Sequence, residues 1–210
     1  MKLINGIAAS AALIIFSNTS FASGAYISGS LGKSSANVDS VTGISIDENS
    51  NTFSFALGYK LNENIAIEGG YRDLGEINAN ATGSINGTYL GKPFVATGTV
   101  GVDVETTGFF LGGDFSLPVS DKVSAHVKAG IFKWDADLTG SGTGSITYDG
   151  TVYATGTALT GSEDGTDLYF GLGADYKLND SVGLGVQWVR YKDILDTDID
   201  VFEATVNYSF

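Results

Sequence analysis

Phe202-Glu203-Ala204-Thr205-Val206-Asn207-Tyr208-Ser209-Phe210 alternates without a break. Phe202, Ala204, Val206, Tyr208 and Phe210 fall on one face of an extended chain, and Glu203, Thr205, Asn207 and Ser209 on the other. A period of two marks a strand, because successive side chains point to opposite sides. A soluble sheet gains little from a strand whose aromatic stripe nothing covers. A sheet closed into a barrel in lipid needs one: its outer face must be apolar, and its last strand must pair with its first. The rest of the chain should then repeat the pattern.

It does so seven more times. The first strand spans about Gly24 to Ser34, with Ala25, Ile27 and Leu31 opposite Ser28 and Ser30. Thr52 to Lys60 sets Phe53, Phe55, Leu57 and Tyr59 against Ser54, Ala56, Gly58 and Lys60. Ile65 to Leu74 sets Ile65, Ile67 and Tyr71 against Glu68, Gly70 and Arg72. The fourth opposes Phe109, Leu111 and Phe115 to Gly108, Gly112 and Asp114. The fifth opposes Val123, Val127 and Ile131 to Ser124, His126 and Lys128. The sixth and seventh set Leu168, Phe170, Leu172 and Tyr176, then Leu184, Val186 and Trp188, against Gly173, Asp175, Lys177, Gly185 and Gln187. Each apolar core is about 9–11 residues long, the length of a tilted membrane-crossing strand. The predicted fold is all-β: an eight-stranded antiparallel up-and-down transmembrane β-barrel.

Connection lengths support it. Leu61 to Asn64, Pro118 to Lys122 and Leu178 to Ser181 are tight turns. Ser35–Asn51, Gly75–Thr99, Asp135–Thr166 and Lys192–Asp198 read as the mostly longer connections, and long alternates with short. That places periplasmic turns and both termini on one side and extracellular loops on the other.

The 210 residues include 29 Gly, 2 Pro and no Cys, so disulfides are excluded. The formal charge of −13 argues against nucleic-acid binding. Near the N-terminus, Lys2 precedes the apolar run Ile7–Phe16, and Ser20-Phe21-Ala22 offers a cleavage site. Residues 1–22 are expected to be a removed signal peptide, and residues 23–210 a single barrel domain.

The terminal Phe210, with Phe202, Val206 and Tyr208 before it, resembles the C-terminal signal of bacterial outer-membrane barrels, which implies recognition by the barrel-assembly machinery. The stretch Gly58-Tyr59-Lys60-Leu61-Asn62-Glu63-Asn64 through Glu68 and Tyr71-Arg72-Asp73-Leu74-Gly75 resembles two strands of the OmpA transmembrane domain. Pro118 to Lys122, followed by Lys128-Ala129-Gly130 and Trp134, resembles its fifth strand. The likeness covers strands and turns, about half the mature chain, and does not extend to a peptidoglycan-binding domain. In plan the chain is closer to the free-standing OmpX type. The resemblance implies that Glu68 joins an interior salt bridge with a basic residue at Lys128. It also implies a second arginine on the seventh strand, where this chain has Gly185.

An eight-stranded barrel is just wide enough for its own side chains to fill. Inward parity collects Lys60, Glu68, Arg72, Asp114, Lys128, Asp175, Lys177 and Glu203, balanced in sign. Buried charges must be paired, so a network centred on Glu68 and Lys128 is expected, with Arg72 toward the outer end. Acidic residues crowd the long connections, with Lys33, Lys92, Lys133, Arg190 and Lys192 near the same rim. Outer-membrane lipid and lipopolysaccharide phosphates are the partners such cations suit. Tyr59, Phe115, Tyr176, Tyr208 and Phe210 form one expected aromatic belt, and Tyr71, Trp134, Trp188 and Tyr191 the other.

His126 is the only histidine. Its parity points it inward, away from lipid, and no nucleophile is marked beside it. Asp196, Asp198 and Asp200 alternate without EF-hand spacing. No catalytic site, metal or cofactor is therefore expected. The expected role is non-enzymatic: a structural or surface-interaction protein of the bacterial outer membrane, touching cell-surface or host ligands through long acidic extracellular loops. A narrow small-solute or ion channel is the alternative, and a lipid-modifying enzyme a weaker one.

Overall fold

The computed structural model describes residues 24–37, 44–47 and 49–210; the expected signal peptide lies outside them. Among the described residues nine strands follow in order: β1 (Ala25–Ala36), β2 (Ile44–Asp47), β3 (Asn49–Lys60), β4 (Ile65–Tyr89), β5 (Lys92–Pro118), β6 (Val123–Tyr148), β7 (Thr151–Lys177), β8 (Val182–Ile194) and β9 (Thr197–Ser209). Eight of them form a ring of antiparallel neighbours, β1-β3-β4-β5-β6-β7-β8-β9, and β2 adds to β4 outside it. The C-terminal strand closes the ring on β1, from Tyr26↔Ser209 to Ala36↔Ile199. Phe210 N–H donates to the Ala25 carbonyl at 3.1 Å.

The outward stripes are exposed. Leu31 is 72% exposed, and Phe109 and Phe202 are each 65% exposed. In water each would forfeit roughly 25 cal/mol per Å² of apolar surface; lipid removes that cost, and ring closure leaves no edge inside the bilayer. The three tight turns share one device. Asn62 Oδ1 accepts from the N–H groups of Asn64 and Ile65 at 2.8 and 2.9 Å, and Asn179 Oδ1 does the same for Ser181 and Val182 at 2.9 and 2.8 Å. Ser120 Oγ takes that place in the third, at 3.1 Å from Val123 N. These side chains satisfy turn N–H groups that have no strand partner.

Three of the four longer connections depart from expectation; residues 38–43 and 48 of the fourth, Ser35–Asn51, lie outside the described residues. Gly75–Thr99 and Asp135–Thr166 are strand. β4 to β7 are 25 to 27 residues each, far beyond the ~9–11 needed to cross. Their ladders run to the tips, Tyr89↔Lys92 and Tyr148↔Thr151, with Phe94↔Tyr148 joining the two hairpins. A sheet of four long strands, with the short β2 on its β4 edge (Ile44↔Ala81 to Asp47↔Asn78), therefore rises from half of the ring by roughly 50 Å, at ~3.3 Å per residue. The tips are two-residue turns with positive φ at both positions: Leu90 (50°) with Gly91 (77°), and Asp149 (49°) with Gly150 (79°). Such turns match the right-handed strand twist and favour Asp-Gly. The mix of Thr, Gly and Ser resembles loop, but Thr and Val at alternate places pair well across strands. Lys192–Asp198 is likewise a hairpin turned at Leu195-Asp196, not a long loop. At the base of the projecting sheet, a register shift between Asp73 and Gly75 exchanges the parity of β4.

Candidate functional site

The lumen is filled in layers. Nearest the tight turns, Lys128 Nζ donates to Glu68 Oε2 at 2.9 Å and lies 3.6 Å from Asp114. Tyr26 OH donates to the other Glu68 oxygen at 2.5 Å. Its ring fits because Gly58 stands opposite; a Cβ there would overlap the ring. Beside them, His126 Nδ1 is 2.8 Å from Asp175, and its Nε2 is 3.3 Å from Gln187 Oε1. Asn207 donates to the second Asp175 oxygen at 3.0 Å. Both His126 nitrogens are thus engaged by side-chain oxygens.

The next layer is a fork. Arg72 Nη1 and Nη2 donate to the two oxygens of Glu203 at 2.9 and 2.7 Å. Ser30 also donates to Glu203, and Gln187 Nε2 does so at 2.5 Å. Gln187 thus joins the His126–Asp175 pair to the Arg72–Glu203 pair. Arg72 is 2% exposed, and among the described residues its Nε has no hydrogen-bond partner. Its guanidinium lies 5.5 Å from the centre of the Tyr191 ring.

Above the fork the lumen turns apolar. Phe132 and Tyr191 meet edge to face at 4.8 Å, Tyr169 stacks on Tyr191 at 5.6 Å, and Val189, Val201 and Trp134 belong to the same cluster. Below the charged layers a cavity of about 430 Å³ opens toward the tight turns.

Of the eight expected interior charges, six form these two contact groups. Lys60 and Lys177 stand apart at the cavity mouth. Lys60 lies 5.9 Å from the Tyr26 ring centre, and Lys177 pairs with Asp180 at 2.9 Å. The Lys177 ammonium holds the exposed Asp180 carboxyl below the usual carboxylate range. Both lysines occupy the last residues of their strands, where the barrel opens to water. Trp134 and Tyr191 are corrected from the outer belt to the interior, 4% and 2% exposed. They share the parity of His126 and Gln187, a signal already present in the alternation. Tyr26, Gln187 and Ser30 complete the network and carry no formal charge, so a search for charges passes over them.

At the opposite rim the expected cations divide. Arg190 Nε and Nη2 fork onto Asp200 at 2.8 and 2.6 Å, and Lys192 pairs with Asp198 at 2.7 Å. Lys92 is not at the membrane edge; it pairs with Asp149 at the far tip. Lys33 and Lys133 remain on the outer surface.

The projecting sheet has two unlike faces. Strand register places Glu76, Glu105 and Asp137 side by side, with Asn78, Asp103 and Thr139 in the next row. That face continues the lipid-facing side, and farther up it carries mainly Ser, Thr and Asn. The other face continues the lumen side. On β4 it carries Ile77, Ala79, Ala81, Gly83, Ile85 and Gly87. On β5 it carries Val104, Val102, Val100, Gly98, Ala96 and Phe94, and on β6 Leu138, Gly140, Gly142, Gly144, Ile146 and Tyr148. On β7 it carries Leu159, Tyr153 and Gly161 with Thr151, Thr155 and Thr157 between them. No charged side chain occurs among these positions.

A search of curated proteins returned no match. Among solved structures, the chain is similar to Ail, the attachment invasion locus protein of Yersinia pestis, at 16% identity. That match covers 90% of this chain and 100% of that one, with a TM-score of 0.48. The N-terminal β-barrel domain of Pseudomonas aeruginosa OprF is 10% identical over 90% of this chain and 98% of its own, with a TM-score of 0.52. Pseudomonas aeruginosa OprG is 12% identical over 90% and 96%, with a TM-score of 0.47. A family model described as the outer membrane protein beta-barrel domain matches residues 6–210. The chain, an eight-membered antiparallel ring with an apolar outer surface, belongs to the outer membrane protein beta-barrel family.

Proposed function

We propose that this chain is a non-enzymatic surface protein whose barrel is a closed anchor and whose four-stranded projection is the interacting part. The carrying observation is a contrast within one chain. The lumen is filled by the Arg72–Glu203 fork and by Phe132, Tyr169 and Tyr191, while β4 to β7 continue roughly 50 Å beyond it. A filled lumen supports an anchor over a channel. His126 has both nitrogens engaged by Asp175 and Gln187, which leaves neither free to activate a nucleophile. On this reading the tight turns and both termini face the periplasm after residues 1–22 are removed. Phe202, Val206, Tyr208 and Phe210 serve assembly, and Lys33 and Lys133 meet lipopolysaccharide phosphates. Acidic rows such as Glu76, Glu105 and Asp137 make a sulfated or phosphorylated ligand for the projection unfavourable.

The test is a shortened variant in which residues 77–104 and 138–161 are each replaced by an Asn-Gly turn. It should keep the heat-dependent gel mobility of a folded barrel and lose cell-surface adhesion. Protease added to intact cells should cut the full chain at the Leu90-Gly91 and Asp149-Gly150 tips. Unchanged adhesion, or tips protected in intact cells, would overturn the proposal.

A further inference from the structure

We infer that the apolar face of the projection is a self-association surface, taking a second copy of this chain that reaches it tip-first from an opposing membrane. The inference rests on the projection being outside the cell. Three observations carry it. First, area. Four strands at ~4.8 Å spacing and about twelve residues of height at ~3.4 Å make roughly 800 Å², which matches the ~800 Å² per partner of a standard protein interface. Second, exposure without charge. Ile85, Val100 and Leu159 are 67%, 58% and 71% exposed on this face. A sheet that is polar on one side and apolar on the other is completed by covering the apolar side.

Third, self-complementarity. A two-fold axis across the strands brings each strand onto its own copy, base to tip. Ile77 then faces Gly87 of the second copy, Ala79 faces Ile85, and Val102 faces Ala96. Val100 faces Gly98, and Gly140 faces Ile146. On β4, β5 and β6 large side chains meet small ones in the inner rows, and Ala81 with Gly83 and Gly142 with Gly144 are small on both sides at the centre, where two twisted sheets approach most closely. Val104 with Phe94, and Leu138 with Tyr148, pair large with large at the two ends, and Leu159 with Tyr153 does so on the edge strand β7; twisted sheets diverge at ends and edges. The contact is isologous, so it closes as a dimer.

The direction of approach follows from the same register. The apolar face continues the lumen side of β5, β6 and β7, so it overlooks the barrel mouth. A neighbour in the same membrane that turned this face inward would carry its own sheet on its far wall, a barrel width farther away. A copy descending from above meets no barrel. The opposite face carries the rows of Glu76, Glu105 and Asp137, and two such faces repel each other.

The test uses the full chain in lipid nanodiscs. The chain has no cysteine, so Val100→Cys in one disc population and Gly98→Cys in another report the contact alone. Mixed and oxidised, they should cross-link between discs; Thr99→Cys, on the other face, should not. Light scattering should show paired discs, more of them at higher salt as the repulsion between acidic copies is screened. Val100→Lys should weaken pairing at least tenfold, and Thr99→Lys should leave it unchanged. All variants should keep heat-dependent gel mobility. Wild-type discs that stay single at every concentration, equal effects of the two lysines, or cross-links confined to one disc would each overturn the inference. Protease protection of the tips in intact cells would instead overturn the surface reading and leave the disc result standing.

Discussion

Glu203→Gln is the sharpest perturbation of the lumen. It keeps the side-chain volume and removes one charge. Arg72 then stays buried, 2% exposed, without the carboxylate that both its terminal nitrogens reach at 2.9 and 2.7 Å. Its Nε already has no partner among the described residues. Removing one partner of a buried ion pair costs about 3–5 kcal/mol. Some relief is local: Ser54 Oγ accepts from Nη2 at 3.1 Å and Thr52 Oγ1 from Nη1 at 3.5 Å. The expected loss is therefore near the lower bound, about 3 kcal/mol, or roughly two powers of ten in the unfolding equilibrium. Urea unfolding of the refolded protein in lipid vesicles would read it, in a cycle with Arg72→Met and the double variant. The double variant should be more stable than the sum of the singles by about 2 kcal/mol, since it buries no lone charge. Additivity within about 0.5 kcal/mol would mean that the two residues are not coupled and would refute the reasoning.

Gly58→Ala should destabilise the barrel by about 1–3 kcal/mol, because its methyl overlaps the Tyr26 ring in a filled core; the same urea assay measures it. Gly150→Ala should lower amide protection near the β6–β7 tip and leave barrel unfolding unchanged, since Gly150 sits at φ 79°. Glu105→Gln should raise amide protection at the base of the projection by a few tenths of a kcal/mol at low salt. The gain should fade as salt screens Glu76 and Asp137 on either side of it.

The ring was legible because every crossing strand obeys one rule, apolar outward, and that rule survives in the alternation. Glu68 and Lys128 were legible for a related reason: inward charges in a narrow barrel must find each other. The bridging role of Gln187 was not, because a neutral amide satisfies a network without marking it. Trp134 and Tyr191 were misplaced because aromatic character near a strand end suggested an interface belt, whereas parity sends them inward to close the lumen. The projecting sheet was missed because Gly, Thr and Ser are at home in loops. The Asp149-Gly150 dipeptide between Tyr148 and Thr151 carried the opposite message, since it fits a two-residue hairpin turn. Gly75, at φ 84°, marks where β4 changes parity, and a strict alternation count loses register there.

The central claim is that this family member is a closed barrel whose working surface stands outside it. Planar-bilayer recording of the refolded full chain tests that claim most directly. A lumen filled by Arg72, Glu203, Phe132, Tyr169 and Tyr191 predicts a silent membrane across the full range of applied voltage. Reproducible unitary conductance steps from folded, heat-modifiable protein would contradict it.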